Sequence, residues 1–397
     1  MLCPYRDHLI EEEYAMNNLQ RLEELGQSIW YDDISRGVIK GGELKNMVDE
    51  GLLGVTSNPT IFDKAISGSD DYDDQIRTLV EGNPNIGADD IIQALMVKDI
   101  QMATDVLMPV YQKTRGRDGY VCVEVNPHKA RDTQATIKEA QLLWNRINRK
   151  NLMVKIPGTI EGLPAIEQSI FEGMNINVTL IFSVERYKEI ANAYITGLER
   201  RLKAGKPIDH IASVASVFVS RIDTLIDSLL EKKITETTDK AQVEKLRSLR
   251  GKVAVANTKM IYQAFTEIFN SPRFLALKQK GATPQRPLWG STGTKNPAYS
   301  DMLYVDSLVG PHTVNTVPPS TYAAILDHAK PARTIENDLA GAQEVLREVT
   351  RSGIDLNWAM KKLEEDGVAA FAKSFDGLYN NLDKKRGQLV AASVPTA

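Results

Sequence analysis

Eight short β-branched runs, each leading toward a stretch of helical periodicity, constrain this chain more than any other feature of its sequence. They fall at residues 28–32, 54–57, 120–125, 152–156, 176–182, 212–219, 287–291 and 312–317. A strand-length run followed by a helix-period segment is the pattern of βαβ units, which build a parallel sheet. After the third run, Ile137, Ala140, Leu143 and Ile147 share one helical face. After the fifth, Ile190, Tyr194, Leu198 and Leu202 do the same and Gly205 supplies a stop. Eight such units predict an α/β fold, the closed (β/α)8 TIM barrel. The 397 residues exceed the roughly 250 typical of that fold, so extensions are expected. Met16, Leu19, Leu22 and Leu25, ahead of Gly26, predict an N-terminal helical extension over residues 1–27. The barrel is placed at 28–330, with C-terminal helices and a tail over 331–397, frayed from Ser393 to Ala397. No low-complexity linker, short repeat or compositional shift divides the chain, so a single domain over 1–397 is predicted.

Charge and composition exclude several function classes. A net charge of -4 gives no overall positive field for nucleic acid or an anionic membrane, so attraction for an anionic substrate must be local. No apolar run approaches the roughly 20 residues that span a bilayer. The start of the chain, with Pro4, Arg6, Asp7 and the acidic Glu11, Glu12 and Glu13, resembles neither a secretory signal nor a transit peptide. Cys3 and Cys122 are too few for a disulfide framework or a thiolate metal site. The histidines at 8, 128, 210, 312 and 328 have no metal-ligand spacing. The expectation is a cytoplasmic protein without metal or cofactor, with no nucleic-acid or membrane partner, as a monomer or homodimer. Trp144 is expected to pack within its helix.

Polar residues recur where the strands end: Asp32, Glu124, Lys155, Thr179, Arg221 just past the sixth, and Ser291 at the seventh. That rim is where barrel enzymes place their chemistry. Lys155 is the sharpest of these, because its strand is otherwise apolar. An ammonium there loses hydration, which favours the neutral, nucleophilic amine. The alternative is a structural lysine paired with Asp32 or Glu124. A retro-aldol through a Schiff base needs that amine, a carboxylate to take the substrate hydroxyl proton, and a second acid or base to dehydrate the carbinolamine. Asp33 should point away from Asp32, as a solvated loop or outer-face charge. Gly290-Ser291-Thr292-Gly293-Thr294-Lys295-Asn296 lies where barrels frequently bind phosphate, although its spacing is not that of a P-loop. An ordinary surface turn would read the same way. Arg221 could supply a bidentate partner for phosphate oxygens.

Two motifs make these residues familiar. Gly54-Val55-Thr56-Ser57-Asn58-Pro59-Thr60 resembles the N-terminal signature of transaldolases, and Val154-Lys155-Ile156-Pro157-Gly158-Thr159 with Glu161-Gly162-Leu163 resembles their active-site lysine signature. The likeness continues through 175–183, 216–221 and 291–297, covering the chain from about Ser28 to Asp366-Gly367-Val368. It implies a pentose-phosphate-pathway transferase that moves a dihydroxyacetone unit through a Schiff base on Lys155. The donor would be fructose 6-phosphate or sedoheptulose 7-phosphate, the acceptor erythrose 4-phosphate or glyceraldehyde 3-phosphate. By the same resemblance, Asp32 is the general acid/base, and Glu124 and Thr179 relay protons through a water. Asn58 and Asn177 hold substrate hydroxyls, while Arg221, Ser216 and Ser291 bind phosphate. Where many relatives have a phosphate-binding arginine soon after the serine of the seventh strand, this chain has the neighbourhood of Gly293, and the role passes to Lys295. The helical stretch with Leu339, Val345, Leu346, Leu363, Phe371, Phe375 and Leu378 either covers the barrel mouth or packs as an outer layer.

A direct fructose 6-phosphate aldolase is the nearest rival, but those relatives tend to have glutamine and tyrosine where this chain has Glu124 and Phe218. A non-catalytic sugar-phosphate binder would be expected to lose the amine or a carboxylate. A sugar-phosphate isomerase would leave Lys155 without a covalent task.

Overall fold

The computed structural model describes residues 16–392, so Cys3, His8, the acidic N-terminal run, most of the extension expected over 1–27 and the fraying expected at Ser393 to Ala397 lie outside the described residues. Eight parallel strands close in sequence order: β1 (Gln27–Tyr31), β2 (Gly54–Val55), β3 (Tyr120–Glu124), β4 (Leu152–Pro157), β5 (Ile176–Ile181), β6 (Ser213–Phe218), β7 (Arg286–Gly290) and β8 (Thr313–Val317). β1 completes the ring by pairing with β8 from Gln27 opposite Thr313 to Tyr31 opposite Val317. The TIM barrel is therefore present, with each expected strand within one or two residues of its place. Only β2 shrinks appreciably, because beyond Val55 the chain breaks from the ladder toward the next helix.

Local signals set the helices. Asp132 accepts from Ala135 N–H at 2.9 Å to start Thr133–Ile147, and Ser183 accepts from Arg186 N–H at 3.1 Å to start Val184–Lys203. In the latter helix the buried stripe runs Ile190, Tyr194, Leu198 and then Arg201, while Leu202 is exposed, contrary to expectation. The last step of the stripe is three residues instead of four because Arg201 donates to the carbonyls of Phe171 and Pro207, satisfying the C-terminal end of the preceding helix. Trp144 packs against the core, as its helical setting predicted. Of the N-terminal extension the described part is a short helix, Asn18–Glu24, with a capping box between Asn17 and Gln20 and with Leu19 and Leu22 buried.

Alternation of side chains along β1 points Ser28, Trp30 and Asp32 into the barrel. Ser28 belongs to a charged floor at the strand N-termini. There Asp118, fully buried, accepts from Ser28 Oγ at 2.9 Å, Trp30 Nε1 at 3.1 Å, Arg286 Nη1 at 2.9 Å and Arg117 Nε at 3.0 Å. Trp30 fills the middle layer, and its ring needs Gly54 beside it: a Cβ at 54 would lie 2.5 Å from Trp30 Cδ2. Asp32 stands at the upper rim.

A long C-terminal helix, Leu356–Ala392, crosses that rim. Thr60 Oγ1 donates to Ser374 Oγ at 2.8 Å and Asn381 Nδ2 to Asp63 Oδ1 at 2.8 Å, tying it to the helix after β2. His128, just past β3, meets Asp376 at 2.8 Å, and Arg186, past β5, meets Glu364 at 3.3 Å. Each of the two expectations for this segment holds for one part. Leu363, Phe371, Phe375 and Leu378 lie on the helix that covers the barrel mouth, whereas Leu339, Val345 and Leu346 lie on a separate helix, Leu339–Arg351, that packs as an outer layer on Val253–Phe269.

Candidate active site

Lys155 sits on β4 in register with Glu124 of β3 and Asn177 of β5, so the ladder itself brings an amine, a carboxylate and an amide side by side. Only 4% of Lys155 is exposed. Its Nζ donates to the Ser57 carbonyl at 2.9 Å and lies 3.4 Å from Glu124 Oε2. That second contact is an ion pair without hydrogen-bond alignment, and neither Glu124 oxygen accepts a bond from the described residues. Burial pushes the Glu124 carboxyl above its ordinary range. Lys155 and Arg221 pull it back, and the charge of Asp32 pushes it further up. Thr179 Oγ1 is also buried with no hydrogen-bond partner among the described residues. Three unsatisfied polar atoms in one chamber are what a built ligand site leaves for its substrate.

Asp32 follows β1, its N–H donating to Val317 O at 2.8 Å. Its Oδ1 accepts from Thr56 Oγ1 at 2.6 Å, and Thr56 is 2.6 Å from Thr316 Oγ1, giving a hydroxyl chain behind the carboxylate. Burial raises the Asp32 carboxyl, offset in part by Lys155, Thr56 and Lys295. A carboxylate raised in this way takes up a proton more readily than one in water. Asp33 leaves the chamber as alternation requires, but it is half-buried rather than solvated, its Oδ1 accepting from Ile34 N–H at 2.8 Å.

On the β5 side, Asn177 is fixed from two directions. Its Oδ1 accepts from Ser216 Oγ at 2.7 Å and its Nδ2 donates to Cys122 Sγ at 3.3 Å. Cys122 itself is pushed up to about 12 by burial, which leaves it a packing thiol. Asn58 serves as the N-cap of Pro59–Ser67, its Oδ1 accepting from Ile61 N–H at 3.1 Å, so its amide NH2 is the end left to meet a ligand.

At the far side of the mouth, Arg221 lies with its guanidinium carbon 5.1 Å from the Phe218 ring centre. No carboxylate among the described residues forms an ion pair with it, and burial lowers its ordinary value. Ser291 adopts a left-handed backbone with φ of 52° and meets Ser220 Oγ at 2.9 Å. Lys295 is exposed on the same loop, close enough to act electrostatically on Asp32. The sequence-predicted residues thus converge on one mouth, with Lys155, Glu124, Thr179 and Asn177 in the buried chamber and Arg221, Ser291 and Lys295 at its edge. Sequence reasoning did not single out the roles of Thr56, Thr316, the Ser57 carbonyl or Ser220. The Thr56 hydroxyl was detectable in principle, being two residues before Asn58 in a recognised motif; Thr316 shows its role only when β8 closes onto β1.

Among the described residues no three His, Cys, Asp or Glu side chains form a metal-binding group, and no helix is long and apolar enough to cross a membrane. A profile of the transaldolase/fructose-6-phosphate aldolase family matches residues 29–382. A protein named transaldolase from Trichodesmium erythraeum is 48% identical over 372 residues, 93% of this chain and 97% of that one. Transaldolase 2 of Nostoc sp. is 47% identical over 376 residues, 94% of this chain and 98% of its own. A transaldolase of Saccharopolyspora erythraea is 46% identical over 374 residues, with 94% and 98% covered.

Proposed function

Because the chain belongs to the transaldolase/fructose-6-phosphate aldolase family, we propose that it is a cytoplasmic transaldolase of the pentose phosphate pathway, working through a Schiff base on Lys155. The donor is sedoheptulose 7-phosphate or fructose 6-phosphate, and the acceptor glyceraldehyde 3-phosphate or erythrose 4-phosphate. The observation that carries this reading is Lys155 Nζ in a buried chamber 3.4 Å from a carboxylate that accepts no hydrogen bond from the described residues.

In this reading the Lys155 amine attacks the C2 carbonyl of the ketose. Glu124, with the Thr179 hydroxyl, moves the protons that turn the carbinolamine oxygen into leaving water. Asp32 takes the C4 hydroxyl proton, the C3–C4 bond breaks, and its electron pair is held as an enamine while an aldose phosphate departs. The enamine then attacks the acceptor aldehyde, Asp32 returns the proton to the new alkoxide, and water releases the product from Lys155. Asn58 and Asn177 bind hydroxyls of the dihydroxyacetone unit, and Ser216 orients Asn177. Arg221, Ser291 and Lys295 bind phosphate. Glu124 with Phe218 favours transfer over release of free dihydroxyacetone.

The test is borohydride reduction in the presence of fructose 6-phosphate, followed by peptide mapping. A three-carbon adduct on Lys155 that is absent in Lys155→Ala is the expected outcome. A folded protein that binds the sugar and forms no adduct would overturn the mechanism.

A further inference from the structure

The reaction above draws on the barrel rim and leaves the helix that crosses it without a role. That helix touches the rim where Arg221 stands. The guanidinium carbon is 5.1 Å from the Phe218 ring centre and 5.9 Å from that of Phe371. The two rings meet edge to face at 6.1 Å and 63°, and Phe218 meets Phe182 in the same way at 5.8 Å. One turn before Phe371, on the same helix face, Gly367 admits the rim: a Cβ there would lie 2.9 Å from Leu180 Cδ2 and 3.7 Å from an Arg221 Nη. Arg221 is thus held by aromatic rings from two elements and by no carboxylate among the described residues. A guanidinium held through its π face keeps its N–H edge free for a bidentate oxyanion.

We infer that Phe371 is a positioning residue that holds Arg221 for the substrate phosphate, so that the C-terminal helix sets the preference for phosphorylated over unphosphorylated donors. The inference rests on the reading of Arg221 as a phosphate ligand. It differs from outer-layer packing in one respect: packing would support every substrate equally, whereas positioning of Arg221 affects only those that carry a phosphate.

The experiment uses full-length protein and the variants Phe371→Leu and Phe371→Tyr. The first keeps apolar volume and removes the ring; the second keeps the ring. Half-saturating concentrations for borohydride trapping are measured with fructose 6-phosphate and with dihydroxyacetone, which lacks phosphate. Phe371→Leu is expected to raise the fructose 6-phosphate value about tenfold, equivalent to about 1.4 kcal/mol, while the dihydroxyacetone value moves less than about twofold, and Phe371→Tyr restores the parent ratio. Equal shifts for both compounds, or no shift for either, would overturn the inference. Calorimetric binding of fructose 6-phosphate to Lys155→Ala, with and without Phe371→Leu, makes the same comparison without a covalent step. Failure of the Schiff-base reading would therefore show as absent adduct in the parent protein, separately from any loss of phosphate binding.

Discussion

Replacing Asp118 by asparagine should destabilise the protein by about 3 to 4 kcal/mol, and the structure indicates why the figure is that large. The carboxylate has no exposure and faces four donors, from Ser28, Trp30, Arg286 and Arg117. Burial alone would raise its protonation range, yet Arg286, Arg117 and Ser28 together hold it below the ordinary 3.8. Arg117 is half-exposed and also pairs with Glu23, so its share is small. Arg286 has a side chain only 9% exposed, and losing its counter-charge leaves a buried cation, a loss of about 3–5 kcal/mol in comparable cases. Urea denaturation followed by tryptophan fluorescence reads the change, since Trp30 donates directly to Asp118. The double variant Asp118→Leu, Arg286→Met removes both charges and should be more stable than Asp118→Asn alone. Because the folded-state value is depressed, the pair's contribution is complete above the unfolded carboxylate range and is lost as pH falls through the lower folded value. Asp118→Asn should therefore flatten the acid limb below about pH 4. A cost under about 1 kcal/mol, or a double variant less stable than the single one, would refute this account of the floor.

Gly54→Ala should lower stability by about 2 to 3 kcal/mol in the same denaturation assay, because its Cβ would lie 2.5 Å from a Trp30 ring that is fully buried and tethered to Asp118. Asp32→Asn should do the reverse, raising stability at neutral pH by about 1 kcal/mol while abolishing transfer. The raised folded-state value means the ionised carboxylate destabilises the fold above that value, so the gain should shrink as pH falls through it and Asp32 becomes protonated. A gain that persists unchanged into acid would count against burial as its cause.

The barrel was legible because parallel strands buried on both faces leave uninterrupted β-branched runs, and the helices between them keep a 3.6-residue stripe. The gathering of polar side chains at the strand ends was legible because Lys155 breaks an apolar run and Asp32 and Glu124 close two others. The floor was not: Asp118 and Arg286 are 168 positions apart in sequence, and nothing local distinguishes them from surface charges until closure of the barrel joins them. Nor was the end of Val184–Lys203, where Arg201 rather than Leu202 is buried, because carbonyls of other segments decide which side chain turns inward. The long C-terminal helix read equally as cover or outer layer, since an apolar stripe does not say what it packs on.

β5 shows how that cover and the chamber are connected. Its pairing with β6 slips between Val178 and Ile181, and Leu180 takes a left-handed backbone with φ of 61°. For a bulky residue such a conformation costs on the order of 1–2 kcal/mol, which a glycine would avoid. Burying a leucine contributes about 1.5–3 kcal/mol, and Leu180 is 1% exposed, lying beneath Gly367 of the C-terminal helix. The packing therefore outweighs the strain, and the position keeps its side chain. The extra residue has a second consequence. It interrupts the ladder beside Thr179, before pairing resumes at Ile181 opposite Val217; the Thr179 carbonyl accepts from Gly158 N–H at 2.7 Å while its hydroxyl remains in the chamber with no partner among the described residues. One backbone irregularity thus places a candidate proton-relay hydroxyl and supplies the surface on which the helix that carries Phe371 rests.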